Sequence, residues 1–207
     1  MRQRPNIDCG NEKAEPAFNR MQKVKRRFYA LRNGALAAQM RSGGVEYRIN
    51  FGLNLPQIKD VAAEIKRAVN SDVEMVELAK ELWANVNTRE SRLLAPMLYP
   101  VEMLDEATAM QWLREAQTTE VADILCHTLL KKHPAASGMA EAVISDSAST
   151  ELQVYSALRL LMNLLAAGRI EPTWVMETIK SVDTAQSPIL TRLKTALLDE
   201  CSFLSDD

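Results

Sequence analysis

From Glu15 onward the apolar residues recur three and four positions apart, the spacing that lines one side of an α-helix. This pattern constrains the fold more than any other feature, because no stretch of alternating apolar and polar residues is long enough to make a strand. Its runs are closed by residues that stop helices: His133-Pro134, Gly168, Pro172 and Pro188 all fall at breaks. Only 7 Gly and 8 Pro occur in 207 residues, and aromatics make up 5%. Long helices with short connections suit that composition better than a turn-rich β-fold.

Along the chain, "AFNRMQKVKRRFYALRNGALAAQM" supports one long helix, or two broken near Asn33-Gly34, followed by a loop in "SGGVEYRINFG". "NLPQIKDVAAEIKRAV" carries Pro56 in a first turn, where a missing N–H is harmless, and an Ile58, Val61, Ala62, Ile65 stripe. Ser71-Asp72 caps the helix through "VEMVELAKELWANV", and Pro96 and Pro100 are expected to cut short the helix of "RESRLLAPMLYP". Further helices are expected near 105–116, 118–132, 135–145, 149–167, 171–181 and 186–203, making nine or ten in all. Residues 1–14 lack periodicity and read as a lead-in to a domain spanning 15–207. The rhythm of "VELAKELWANV", "VADILCHTLL" and "ALRLLMNLLAAG" fits helical pairs stacked into a solenoid, and equally a closed bundle of irregular topology.

Charge is distributed unevenly. The first 50 residues hold 11 Lys and Arg against four acids, whereas the rest holds 14 bases and 23 acids, for a net charge of −2. The basic run Lys23, Lys25, Arg26 and Arg27, with Arg32 a turn beyond and Phe28-Tyr29 beside it, can grip phosphates and stack bases. The same run also reads as the solvent side of a helix whose Val24, Phe28 and Leu31 face a core. Three scattered cysteines without a CxxC pair suggest neither zinc nor a disulfide framework and fit a reducing cytoplasm. There is no span-length apolar run and no signal-type leader, so a membrane location is not expected. P-loop, GxSxG, HExxH and GxGxxG patterns are lacking, and no cofactor is expected.

In "TTEVADILCHTLL", Val121, Leu125, Thr128 and Leu129 define a buried face, leaving Glu120, Asp123 and His127 together on the other side. Asp123 then reads either as a solvated helix acid, with at most a weak contact to His127, or as a working carboxylate. As metal ligands the three are poor, with one His and no matching partner helix. Trp83, Trp112 and Trp174 sit at core spacing, and His133 ends a helix where it can complement the dipole.

Three blocks carry a resemblance. "YRINFGLNLPQIKDVAAEIKR", then "VELAKELWANVNTRESRLLAPMLYP" with its Leu82-Trp83 and Glu90-Ser91-Arg92, then "TTEVADILCHTLLKK" resemble, in order and spacing, segments of the AlkD-like DNA alkylation repair family. The likeness covers roughly residues 45 to 135. It implies an all-α, C-shaped, HEAT-like helical-pair solenoid with a concave groove. It also implies a glycosylase that removes N3- or N7-alkylated purines from double-stranded DNA. Breaking that bond builds positive charge on the sugar, which a nearby carboxylate stabilises. By this resemblance Asp123 is the catalytic carboxylate and Arg159 the nearest base to the family's arginine position, which falls on Tyr155 or Ser156. Thr119 stands where the family has Trp, and Leu197 where it has a further aromatic. With these positions changed, the expectation is weak or lost excision with groove binding retained. The alternative from another class is a scaffold binding a protein or peptide partner, which the acidic body favours.

Overall fold

A computed structural model describes residues 20–205, so the lead-in expected at 1–14 lies outside the described residues. Eleven α-helices follow one another: α1 (Arg20–Leu31), α2 (Gly34–Ser42), α3 (Leu55–Ala68), α4 (Asp72–Ala84), α5 (Arg89–Leu98), α6 (Glu106–Arg114), α7 (Thr119–Thr128), α8 (Ala136–Ser145), α9 (Glu151–Leu165), α10 (Pro172–Thr178) and α11 (Pro188–Ser205). Short 3-10 turns cover Val101–Met103 and Leu130–Lys132. Among the described residues the sole β contact is an isolated bridge between Ile49 and Thr88. No described helix is long and apolar enough to cross a membrane.

Helix starts are written in side chains. Asn54 and Gln57 form a reciprocal capping box at α3, as do Thr150 and Gln153 at α9. Ser71, Asp105 and Thr118 each accept the backbone N–H three residues on. Asn33 caps α2 in the same way, which settles the first helical segment as two helices. Pro96 departs from expectation, for it lies inside α5 and the helix continues to Leu98. All ten residues of α5 are buried, and packing against α3, α4 and α7 outweighs the lost backbone hydrogen bond.

The rows stack in sequence. Helix α3 packs on α5, α5 on α7, α7 on α9 and α9 on α11, while α4, α8 and α10 cover α5, α9 and α11 as a second row. That order is consistent with an α-helical solenoid and with the expected all-α class. A continuous apolar core runs through it from Val24 to Cys201.

Buried charge fastens the stack at α5. The Arg92 guanidinium donates to the carbonyls of Trp83 and Glu115, at the C-terminal ends of α4 and α6, and lies 3.5 Å over the Trp83 ring. A fixed cation thus meets the negative ends of two helix dipoles. Trp83 in turn stacks on Trp112 at 4.3 Å, so both rings are core as their spacing suggested; Trp174 is partly buried against that core. Glu90 accepts the backbone N–H groups of Phe51 and Leu53, just ahead of α3. Gly52 lies between them at φ 71°, with its backbone pressed against Asn33 and Ala37, where a Cβ would stand 2.1 Å from the Asn33 carbonyl oxygen.

Candidate active site and nucleic-acid interface

Helix α7 buries Val121, Ala122, Leu125 and Cys126, and turns Glu120, Asp123 and His127 toward neighbouring helices. Each of the three finds its own partner. Glu120 takes a two-pronged bond from Arg89 of α5. His127 meets the Asn163 side chain of α9 at 3.3 Å rather than Asp123, so the contact that helical spacing allowed does not form. Among the described residues no metal-binding cluster occurs, and the position of Glu120 against Arg89 accounts for this trio's failure to converge.

Asp123 is about a third exposed at the seam between α7 and α9. The Tyr155 hydroxyl donates to its Oδ1 at 2.9 Å, and the Arg159 Nε stands 2.9 Å from the same oxygen. The Nε–H is not aligned with that oxygen, so Arg159 contributes as an ion pair and not as a hydrogen bond. Burial, then the adjacent Asp123 charge and bond, push the Tyr155 phenol up to about 12. Oδ2 of Asp123 accepts no hydrogen bond from the described residues. One turn along, Cys126 is fully buried and gives its thiol to the Ser156 carbonyl; burial raises its pKa, so it is no nucleophile. Ser156 bonds back to Leu152 inside the core, and Leu197 is likewise wholly buried. Of the two residues at the family's arginine position, Tyr155 therefore touches Asp123 and Ser156 does not.

The basic residues expected to hold phosphate divide between two places. Arg159 joins Asp123. Lys23, Lys25, Arg26, Arg27 and Arg32 lie on or just past α1, which packs beside α4 and away from the α7–α9 seam. There Val24 and Phe28 are core, as the second reading of that helix required. Arg27 is paired in two-pronged fashion with Glu64 of α3, and Arg32 lies 3.9 Å over the Tyr29 ring while donating to the Tyr29 carbonyl. Lys23 and Arg27 border a hollow of about 360 Å³ between α1, α3 and α4 whose walls include Glu64 and Glu74. Lys25 and Arg26 face solvent.

His133 also differs from its expected role. It is buried, with Nδ1 accepting the Ala135 N–H and Nε2 3.2 Å from the Leu104 carbonyl, so it ties two turns together and does not complement a dipole. Sequence reasoning passed over two features: Tyr155 as the partner of Asp123, and four lysines (Lys59, Lys66, Lys131 and Lys132) that border one hollow. Lys59 and Lys66 are seven apart, two turns on one face of α3, which was a readable signal.

A family model described as DNA alkylation repair enzyme matches residues 24–149. The chain belongs to the DNA alkylation repair enzyme family. Comparison with curated proteins and with solved structures finds no match. In this DNA alkylation repair family member the matched span takes in Glu90, Arg92 and Asp123 and stops one residue short of α9. Tyr155 and Arg159, the partners of Asp123, thus lie outside the matched span.

Proposed function

We propose that the protein binds double-stranded DNA across the face that carries Asp123 and excises alkylated purines slowly through that carboxylate. The observation that carries this reading is Asp123 itself, held at the α7–α9 seam about a third exposed, with Oδ1 bound by Tyr155 and Oδ2 accepting no hydrogen bond from the described residues. Membership of the DNA alkylation repair enzyme family supports a DNA substrate. N3- or N7-alkylated purines carry positive charge and leave readily, so the protein need only stabilise the sugar cation and orient a water. Asp123 would do both through Oδ2. Arg159 opposes it, because a fixed cation beside the carboxylate weakens its hold on a second cation. Among the described residues the aromatic that bonds Asp123 is Tyr155, whose hydroxyl is directed to the acid.

Two measurements test the reading. Binding to a labelled duplex at about 50 and 200 mM salt should weaken steeply as salt rises. Undetectable binding at the lower salt would remove the DNA reading in favour of a protein- or peptide-binding scaffold. Release of 7-methylguanine from duplex DNA should be slow for the wild type and fall at least tenfold in Asp123→Asn. Equal rates in the two would clear Asp123 of a catalytic role.

A further inference from the structure

Lys59 and Lys66 of α3, His127 at the end of α7, and Lys131 and Lys132 of the following 3-10 turn line one open hollow of about 420 Å³. Its other walls are Ala62, Ala63, Met97 and Thr128, and among the described residues no Asp or Glu borders it. Among the described residues none of the four lysines enters an ion pair, whereas Arg20, Arg27, Arg89, Arg114 and Arg159 all do. The charges also press on one another: burial and then the Lys132 charge both disfavour the charged form of Lys66. Asp72 and Glu102 border the adjoining hollow on the far side of Lys66 and Lys132, not this one. Four ammonium groups that no described acid neutralises, with apolar walls between them, form a concentrated positive site in a chain of net charge −2.

We propose that this hollow is a phosphate-binding site that takes a backbone phosphate of the DNA whose damaged nucleotide faces Asp123. The inference rests on the DNA reading above for the identity of its ligand, and on the lysine geometry alone for the chemistry. Asp123 lies in the middle of α7 and Lys131 in the 3-10 turn that follows it, eight residues on, a separation of roughly 10–15 Å at helical rises per residue. A strand lying over both places would set the pinned phosphate one or two nucleotides from the base at Asp123. Ammonium groups suit this task because each is a compact point charge on a flexible stem that can follow a phosphate without a fixed geometry.

The test uses the full-length chain, a labelled duplex and, separately, inorganic tripolyphosphate. The variants are Lys66→Gln with Lys132→Gln, and Lys180→Gln as a control that removes one positive charge from an exposed lysine outside the hollow. If the wild type binds the duplex, the double variant should bind about tenfold more weakly and lose about two from its logarithmic salt slope. Lys180→Gln should match the wild type. Duplex binding by the wild type with an unchanged double variant would overturn the phosphate site and leave the DNA reading intact. No duplex binding but tripolyphosphate binding that the double variant loses would uphold the site and overturn the DNA reading. Binding of neither ligand would overturn both.

Discussion

Replacing Arg92 tests whether the Glu-x-Arg segment of α5 serves the stack. Its guanidinium donates to the Trp83 carbonyl at 2.7 Å and to the Glu115 carbonyl, and covers the Trp83 ring at 3.5 Å, with the residue 1% exposed. Two hydrogen bonds from a charged donor contribute about 1.5–3 kcal/mol each, and the desolvated cation–π contact about 2 kcal/mol. Against them, burial outweighs the Tyr47 and Glu115 charges and pulls the guanidinium from 12.5 down to about 10, a net cost of about 3 kcal/mol. Even so lowered, the group stays charged at neutral pH. Arg92→Ala also strands two carbonyls at helix ends and opens a void, so a loss of about 4 kcal/mol is expected. For a chain of this size that lowers Tm by roughly 8–16 °C. Arg92→Lys keeps the charge but loses the fork, and should cost about 2 kcal/mol. Arg92→Met fills the volume without bonding the carbonyls and should recover less than half of the alanine loss. Urea unfolding followed by circular dichroism measures all three. An alanine variant within about 1 kcal/mol of wild type, or a methionine variant equal to it, would refute the double-cap argument.

Two further outcomes follow from the same kind of reading. Gly52→Ala puts a Cβ into the Asn33 carbonyl at a left-handed residue, and should cost at least about 2 kcal/mol in urea unfolding; a smaller loss would mean that the 45–53 segment moves freely. Tyr155, held up to about 12 in the folded chain against about 10 when unfolded, contributes stability that is fully present below pH 10 and is lost between pH 10 and 12. The phenolate absorbance should show a late-titrating tyrosine that disappears in Tyr155→Phe and titrates earlier, though still above 10, in Asp123→Asn, because burial is the larger cause.

What the sequence disclosed was the part governed by neighbours along the chain. Period, caps and breakers located α3, α4, α7 and α9, and Asn33-Gly34 marked the joint between α1 and α2. Pro96 misled because its cost is local while the gain from burying all of α5 is not. The α1 basic run shows the same limit: helical spacing put Arg27 outward, as it lies, but its partner Glu64 is 37 residues away and no local pattern pairs them. For α7 the helical wheel correctly turned Glu120, Asp123 and His127 away from the buried face. It could not say what stood across the seam, where Arg89, Tyr155 and Asn163 each come from a different stretch of chain. The lysine hollow escaped for the same reason, since α3 and the end of α7 meet only in the folded stack.

That seam also bears on rate. Helix α7 is held in its first turn by Arg89 on Glu120, in its middle by Tyr155 and Arg159 on Asp123, and at its end by Asn163 on His127. Asp123 therefore serves the packing of α9 as well as any chemistry, and the two uses compete. A sugar cation about 4 Å from an unpaired carboxylate gains about 4 kcal/mol near a protein surface. With Arg159 fixed on the opposite side of that carboxylate, roughly 7 Å from the cation, repulsion of a little over 2 kcal/mol reduces the gain to about 2 kcal/mol. In rate these correspond to about a thousandfold and about twentyfold. Solvent reaches both side chains, each about a third exposed, and lowers the two figures together. A carboxylate so paired keeps an acid at the site while forgoing most of its pull on a cation, which is why DNA binding outlasts rapid excision in the function proposed here.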